Sequence, residues 1–245
     1  CPGGLLSGFL QMPKPINLLA IDTAGTHCSV MLKAGDQAFF RSENTSQRHS
    51  RHILGMIDEL MGESRIHPDD LQLLAWNAGP GSFTGLRIGA SVIQALSYSF
   101  NLPVLSLSAM EVLAHMAWRS ACPSLAEPTT IVVAVSAQLN DIYWASFVSC
   151  PTGLERIEPD QLLQKDILES KIKALGESCL LVGNAWEITR KDEMAQTQAV
   201  VSAEDVVALA VTKNQQNWLD KPATCLPNYV HNTINWQKRP IYPRL

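Results

Sequence analysis

The chain has 245 residues, 46% of them hydrophobic and 17% charged, with a formal net charge of -4. This composition marks a soluble globular protein with a full core, one that buries roughly 70–75% of the surface its unfolded chain would expose. The acidic balance offers no electrostatic footprint for nucleic acid, and no apolar run approaches the ~18–20 residues of a membrane span.

The opening "CPGGLLSGFLQ" has no basic start and precedes Met12. We read residues 1–11 as upstream or appended sequence, with Met12 the expected natural start and no function before it. Residues 16–21, "INLLAI", form a short strand-like run; "CSVMLKAG" and "QAFFRSE" follow across turn signals, giving a meander of three strands. In "SQRHSRHILGMIDELMGES", Ile53, Leu54, Ile57, Leu60 and Met61 repeat at helical spacing, and Met56 broadens that apolar face. His49 and His52 stand three apart, a spacing that invites a metal reading. Entry into the helix explains them better, with Ser46 or Ser50 as cap.

"LQLLAWNA" is a fourth strand, and the string "GPGSFTGLRIG" from Gly79 to Gly89 follows it. A helix then runs from Leu86 to Phe100 and stops before Asn101-Leu102-Pro103. "PVLSLS" is a further strand and "AMEVLAHMAWRS" a further helix. After the spacer "ACPSLAEPTT" a second cycle begins. "IVVAVSA" and "DIYWASFVS" pair across "QLND", "GLERI" is a third strand, "PDQLLQKDILESKIKALG" is helical, "CLLVGNA" is a strand and "AEDVVALAVTK" a helix. Strands, helix, strand, helix, twice over, predicts an α/β protein of two related lobes.

The six cysteines, Cys1, Cys28, Cys122, Cys150, Cys179 and Cys225, show neither a C-x-x-C pair nor zinc-finger spacing. Buried free thiols in a reducing cytosol are the expectation, and with them a cytoplasmic protein. The one basic cluster, Lys238, Arg239 and Arg244, reads as a solvated tail or as a minor contact to RNA or a partner.

The glycine string fails three catalytic templates. It has no Walker lysine after Gly85, no third glycine of a dinucleotide fingerprint, since Thr84 stands there, and Pro80 where a nucleophile elbow needs glycine before Ser82. What is left is a tight turn permitted by Gly79 and Gly81 and a helix capped by Ser82 or Thr84. Arg87 lies in the first turn, where the helix dipole disfavours a cation. It faces an anion or acidic partner, or it is an ordinary surface arginine; the free amides would also suit a phosphate.

Taken in order, "LLAIDTAGTHCSVML", "HSRHILGMIDEL", "GPGSFTGLRIGASVIQAL", "LPVLSLSAMEVLA", "DIYWASF" and "PNYVHNTINWQKRP" resemble the bacterial TsaB family, formerly YeaZ, over Asn17 to about Arg239. The resemblance implies the two-lobed actin-like ATPase fold of the sugar kinase, Hsp70 and actin superfamily, each lobe a mixed sheet flanked by helices. Residues 12–107 would form the first lobe, completed by about 210–245, and 108–209 the second.

It further implies a role in making threonylcarbamoyladenosine beside the anticodon of tRNAs that read codons starting with A. In that pathway the transferase is the paralogue TsaD, with which TsaB pairs and which the ATPase TsaE joins. ATP and a metal held by TsaD serve the complex, and no cofactor is expected on this subunit. Pairing runs through first-lobe helices, which assigns His49, Ile53, Met56, Ile57 and Leu60 to a partner interface as well as to core packing. The same stripe would suit a homodimer of the free protein.

Members of the TsaD family carry H-x-x-x-H after the strand that follows the glycine-loop helix. Ala109 and Leu113 stand at the matching positions here, and neither side chain ligates a metal; His115 is out of register and reads as a core or surface residue. Actin-like ATPases open with D-x-G-x-[ST] around the phosphates. The string here is Asp22-Thr23-Ala24-Gly25-Thr26, with Ala24 replacing the first turn glycine. The second phosphate loop usually starts with an acid, and Ser136-Ala137-Gln138 lacks it. Asp22, Thr23, Thr26 and Ser136 are therefore expected to be vestiges of a nucleotide site, and no catalytic or metal residue is assigned. The leading expectation is a non-catalytic assembly and activating subunit. The alternatives are a stand-alone actin-fold ATPase or small-molecule kinase, which needs phosphate-loop acids, and a metallopeptidase, which needs histidine pairs.

Overall fold

The computed structural model describes residues 15–44, 49–121, 128–137, 140–151, 153–174, 179–188, 195–196, 200–214 and 225–230. Residues 1–11 with Met12, Ser46, Cys122, Gln138, Lys238, Arg239 and Arg244 lie outside the described residues, as does the side chain of His49.

The first lobe starts with the meander β1 (Ile16–Asp22), β2 (His27–Gly35) and β3 (Gln37–Asn44). Helix α1 (His49–Ser64), β4 (Leu73–Gly79), α2 (Phe83–Phe100), β5 (Val104–Ser108) and α3 (Ala109–Ala121) follow. The second lobe follows the same strand order with β6 (Thr130–Ser136), β7 (Asp141–Cys150), β8 (Gly153–Gln164), α4 (Lys165–Ala174), β9 (Cys179–Val182), β10 (Ala195–Gln196) and α5 (Ala203–Asn214). Among the described residues a short 3-10 turn, Ala185–Ile188, stands between β9 and β10 where the first lobe has α2. The strand orders are β3-β2-β1-β4-β5 and β8-β7-β6-β9-β10. In both sheets the first strand pairs antiparallel with the second and parallel with the fourth. This duplicated mixed sheet is the actin-like architecture.

The central strands are apolar without alternation because both of their faces are buried. Leu18 and Ala20 of β1, Leu73 and Ala75 of β4, and Ile131 and Val133 of β6 point into a core between the sheets, which α3 and α5 also fill. Leu19 and Ile21 face the other way, against α1 and α2. Val132 and Ala134 face α4 and Trp186. The order of layers is thus α1 with α2, sheet, α3 with α5, sheet, α4. From Ala203 onward, α5 already packs on β1, β2 and β4 of the first sheet.

One helical expectation fails. Residues 159–164 extend β8, pairing Asp141 with Gln164 and Tyr143 with Leu162 past irregularities at Ser146. A long antiparallel partner outweighs the helical propensity of "QLLQK", and α4 begins only at Lys165.

Candidate functional site: the glycine corner and the first hairpin turn

β1 delivers Asp22 to its carboxyl end, where it is only 2% exposed. Its Oδ1 accepts hydrogen bonds from the Ala24 amide and from Asn77 Nδ2, each at 3.0 Å. Burial pushes the carboxyl up to about 7, against the lowering pull of those two donors, and Asp205 adds to the rise. Asn77 Oδ1 accepts the Gly79 amide at 3.0 Å, so one side chain ties the acid to the glycine corner.

Gly79 has φ +99, a conformation that glycine adopts without strain. The other glycines of the string serve close approach. The Ser82 amide donates to Ala24 O at 2.7 Å, and Thr23 Oγ1 donates to Gly85 O at 2.7 Å. A Cβ on Gly81 would lie 2.5 Å from Ala24 O, and one on Gly85 would overlap Thr23 O. The string is therefore the socket in which the Thr23-Ala24 turn sits. Ser82 is the helix cap, accepting from the Gly85 amide at 3.3 Å. Thr84 faces solvent, as does Thr26, which bonds to His27.

Arg87 meets no acid among its described contacts. Its guanidinium lies 3.7 Å from the centroid of the Phe83 ring, and its Nε donates to the Tyr229 hydroxyl at 3.1 Å. Aromatic stacking and a neutral acceptor satisfy the cation that the helix dipole disfavours, so no facing anion is required.

Ser136 lies in the second lobe, at the corresponding hairpin. Its amide donates to Asn184 Oδ1 at 2.8 Å, and the Ala137 amide donates to Asp141 O. Asn184 follows Gly183, whose own close approach is to Ala134 O. Asn77 and Asn184 thus do parallel work in the two lobes, each tying the end of its strand to a hairpin turn. Neither was singled out from sequence. The signal was present in the amides that end two apolar runs, "WNAG" and "VGNA".

Ala109 and Leu113 are both buried in α3. His115 on the same helix is buried, its Nδ1 meets no hydrogen-bond partner, and burial with Arg119 nearby lowers its pKa to about 4. Among the described residues no group of three His, Cys, Asp or Glu side chains has metal-site geometry. Cys28, Cys150, Cys179 and Cys225 form no disulfide with one another. No described helix is long and apolar enough to cross a membrane.

Of the two roles expected for the α1 stripe, core packing is the one seen within the chain. Ile53, Met56, Ile57 and Leu60 are between 0% and 7% exposed because they close the core between α1, α2 and the first sheet. Covering that sheet face takes up the apolar stripe. His52 bonds to Glu43 of β3 at 2.7 Å, which is a helix-to-sheet contact. The outward apolar side chains on these two helices are Leu54, 57% exposed, with Phe83 and Tyr98 of α2.

Two duplicated lobes, with a glycine-lined corner clasping the first hairpin, define a protein of the actin-like ATPase fold. The family described as TsaD, tRNA N6-adenosine threonylcarbamoyltransferase, matches residues 41–212. The tRNA threonylcarbamoyladenosine biosynthesis protein TsaB of Buchnera aphidicola is 32% identical over 204 residues, 81% of this chain and 95% of that protein. TsaB of Escherichia coli is 27% identical over 233 residues, 92% of this chain and 99% of that protein. Among solved structures, YeaZ from Pseudomonas aeruginosa superposes with a TM-score of 0.74 at 23% identity, covering 87% of this chain and 99% of that one. The chain belongs to the TsaB family.

Proposed function

We propose that this chain is a non-catalytic assembly and activating subunit for threonylcarbamoyladenosine formation on tRNA, working in the cytoplasm. Its partners in this reading are the transferase TsaD and the ATPase TsaE, and tRNA is met through the complex. Family membership supports the pathway. The observation that carries the non-catalytic role is the internal use of both hairpin turns. The Ala24 amide is spent on Asp22, the Ser136 amide on Asn184, and the first turn is seated in the glycine corner. Phosphate loops of this fold act through free turn amides and an acid at the second turn, and Ser136 supplies no carboxylate.

Docking would use the outward faces of α1 and α2. Leu54, Phe83 and Tyr98 leave large apolar side chains in solvent there, Phe83 beside the glycine corner and Tyr98 toward the far end of α2.

Co-expression with TsaD of the same organism, followed by sizing and a tRNA modification assay with each subunit omitted, tests the reading. A stable complex is expected, with modification lost when this chain is left out; the reading fails if the chain neither associates nor affects modification. Calorimetry with ATP on the isolated chain should give no micromolar binding with turnover. Such a signal would favour the stand-alone kinase.

A further inference from the structure

A second polar assembly lies where the lobes meet, one strand over from the glycine corner, with Ser108 of β5 in register with Gly79 of β4. Asp160 of β8 is its centre, with a side chain only 6% exposed. Three donors converge on its carboxylate at 2.6 Å. Ser108 Oγ, from the end of β5, and Asn228 Nδ2 share Oδ2, while Arg156 Nη1 takes Oδ1. The elements joined are the first sheet, the second sheet and the chain segment beyond α5. Ser108 is in turn the acceptor for the Met110 and Glu111 amides that open α3, at 3.2 and 3.4 Å. Glu111 extends the chain of contacts to Arg156 of β8 and to Lys213 of α5.

The segment carrying Asn228 is stitched to the first lobe at both ends. Cys225 is buried in the core beneath α1 and α2, and its carbonyl accepts from Gln94 Nε2 at 2.8 Å. The Asn228 amide donates to Ala78 O at 2.7 Å, and the Tyr229 hydroxyl accepts from Arg87. Between these anchors the segment crosses the carboxyl ends of β4 and β5. It borders an open depression of about 410 Å³ lined by Ala78, Ser106, Ser108, Glu111, Arg156 and Asp160. Crevices beyond the carboxyl ends of parallel strands are where open α/β sheets bind ligands. Here the chain's own residues Leu226 and Asn228 form part of the wall.

We propose that residues 225–230 are an interlobe latch. Closed on Asp160, the latch fixes the second lobe against the first and walls off the crevice at the ends of β4 and β5. At this carboxylate a single group is bonded by both lobes and by the segment, so its three bonds act as one unit. The latch operates in the free chain, whatever partner the outer helices engage.

Residue-resolved hydrogen exchange on the full chain tests it, with Asn228→Ala, Asp160→Ala and the double variant. Removing one hydrogen bond to a charged group from a cooperative unit should speed exchange about tenfold or more. The expected result is acceleration at the Met110 and Glu111 amides in Asn228→Ala, and at the Asn228 amide in Asp160→Ala. The double variant should be no faster than the faster single one, and the amides of β1 and β4 should be unchanged. Acceleration confined to each mutated side chain's own neighbours overturns the latch. So do multiplicative effects in the double variant, and so does equal acceleration through β1 and β4. If Asp160→Ala does not fold, Arg156→Ala replaces it in the same cycle under the same criteria.

Discussion

Asn77 Nδ2 donates to Asp22 Oδ1 at 3.0 Å, joining the carboxyl end of β1 to the entrance of the glycine corner. The other end of the same amide holds the Gly79 backbone. Replacing Asn77 with alanine therefore takes one donor from a buried acid and the side-chain acceptor from the Gly79 N–H. Each loss of this kind costs about 1–3 kcal/mol. Urea unfolding at neutral pH should show a midpoint lowered accordingly at unchanged slope. A midpoint equal to that of the parent chain would mean that the bridge contributes nothing.

Asp22 also makes stability depend on pH. Its pKa is about 7 in the fold against the ordinary value of 3.8. Between those values the folded chain keeps a proton that the unfolded chain has released. The stability contributed by this proton is complete below the ordinary value and is lost as pH rises through about 7, at no more than about 1.4 kcal/mol per pH unit. Asp22→Asn retains an acceptor for Ala24 and Asn77 without the titration. Its unfolding free energy relative to the parent should therefore rise between about pH 5 and about pH 8. Parallel curves over that range would show that Asp22 does not titrate there.

Two glycines should respond in opposite directions to the same substitution. Gly85→Ala drives a methyl into the Thr23 carbonyl, and backbone cannot yield as a side chain does. A loss of about 2–4 kcal/mol is expected. Gly55 sits on the outward face of α1 with nothing within 4 Å of an added Cβ, so Gly55→Ala should gain about 0.5–1 kcal/mol. Thermal melts of the pair check the contrast. A mild Gly85→Ala would contradict the tight seating of the first hairpin turn.

The docking face rests on the proposed role and has its own measurement. Tyr98 is 85% exposed and contributes little to the core, so Tyr98→Asp should leave the melting temperature of the free chain within about 2 °C of the parent. Its affinity for TsaD should fall at least about tenfold. Unchanged affinity for Tyr98→Asp and for Leu54→Asp alike would place the interface elsewhere.

Much of this was legible in the residues, for physical reasons that can be named. The uniformly apolar runs of β1, β4 and β6 betray strands buried on both faces, and the doubled order of elements betrays two lobes. The apolar face of α1 was legible as well, but its destination was not. Helical spacing records that Ile53, Met56, Ile57 and Leu60 share a side; it does not record whether that side meets a sheet or another protein. The glycine string was recognisable as a corner, yet its purpose depends on Thr23 and Ala24, far away in sequence, arriving against Gly81 and Gly85. Asp160 was invisible for a related reason. Local composition favoured a helix through "PDQLLQ", and only the pairing of β8 with β7 turns its carboxylate toward Ser108 and Asn228.

The last helix of each lobe carries a consequence for how such a chain could arise. α3 packs chiefly against β6, β7 and β9 of the second sheet, while α5 packs on β1, β2 and β4 of the first. Each half lends its closing helix to the other. A half-chain on its own would expose both a bare sheet face and an unpaired apolar helix, and only another half could cover the two at once. The smallest self-sufficient form of this design is a pair of halves that trade helices, and fusing them into one polypeptide makes the exchange permanent.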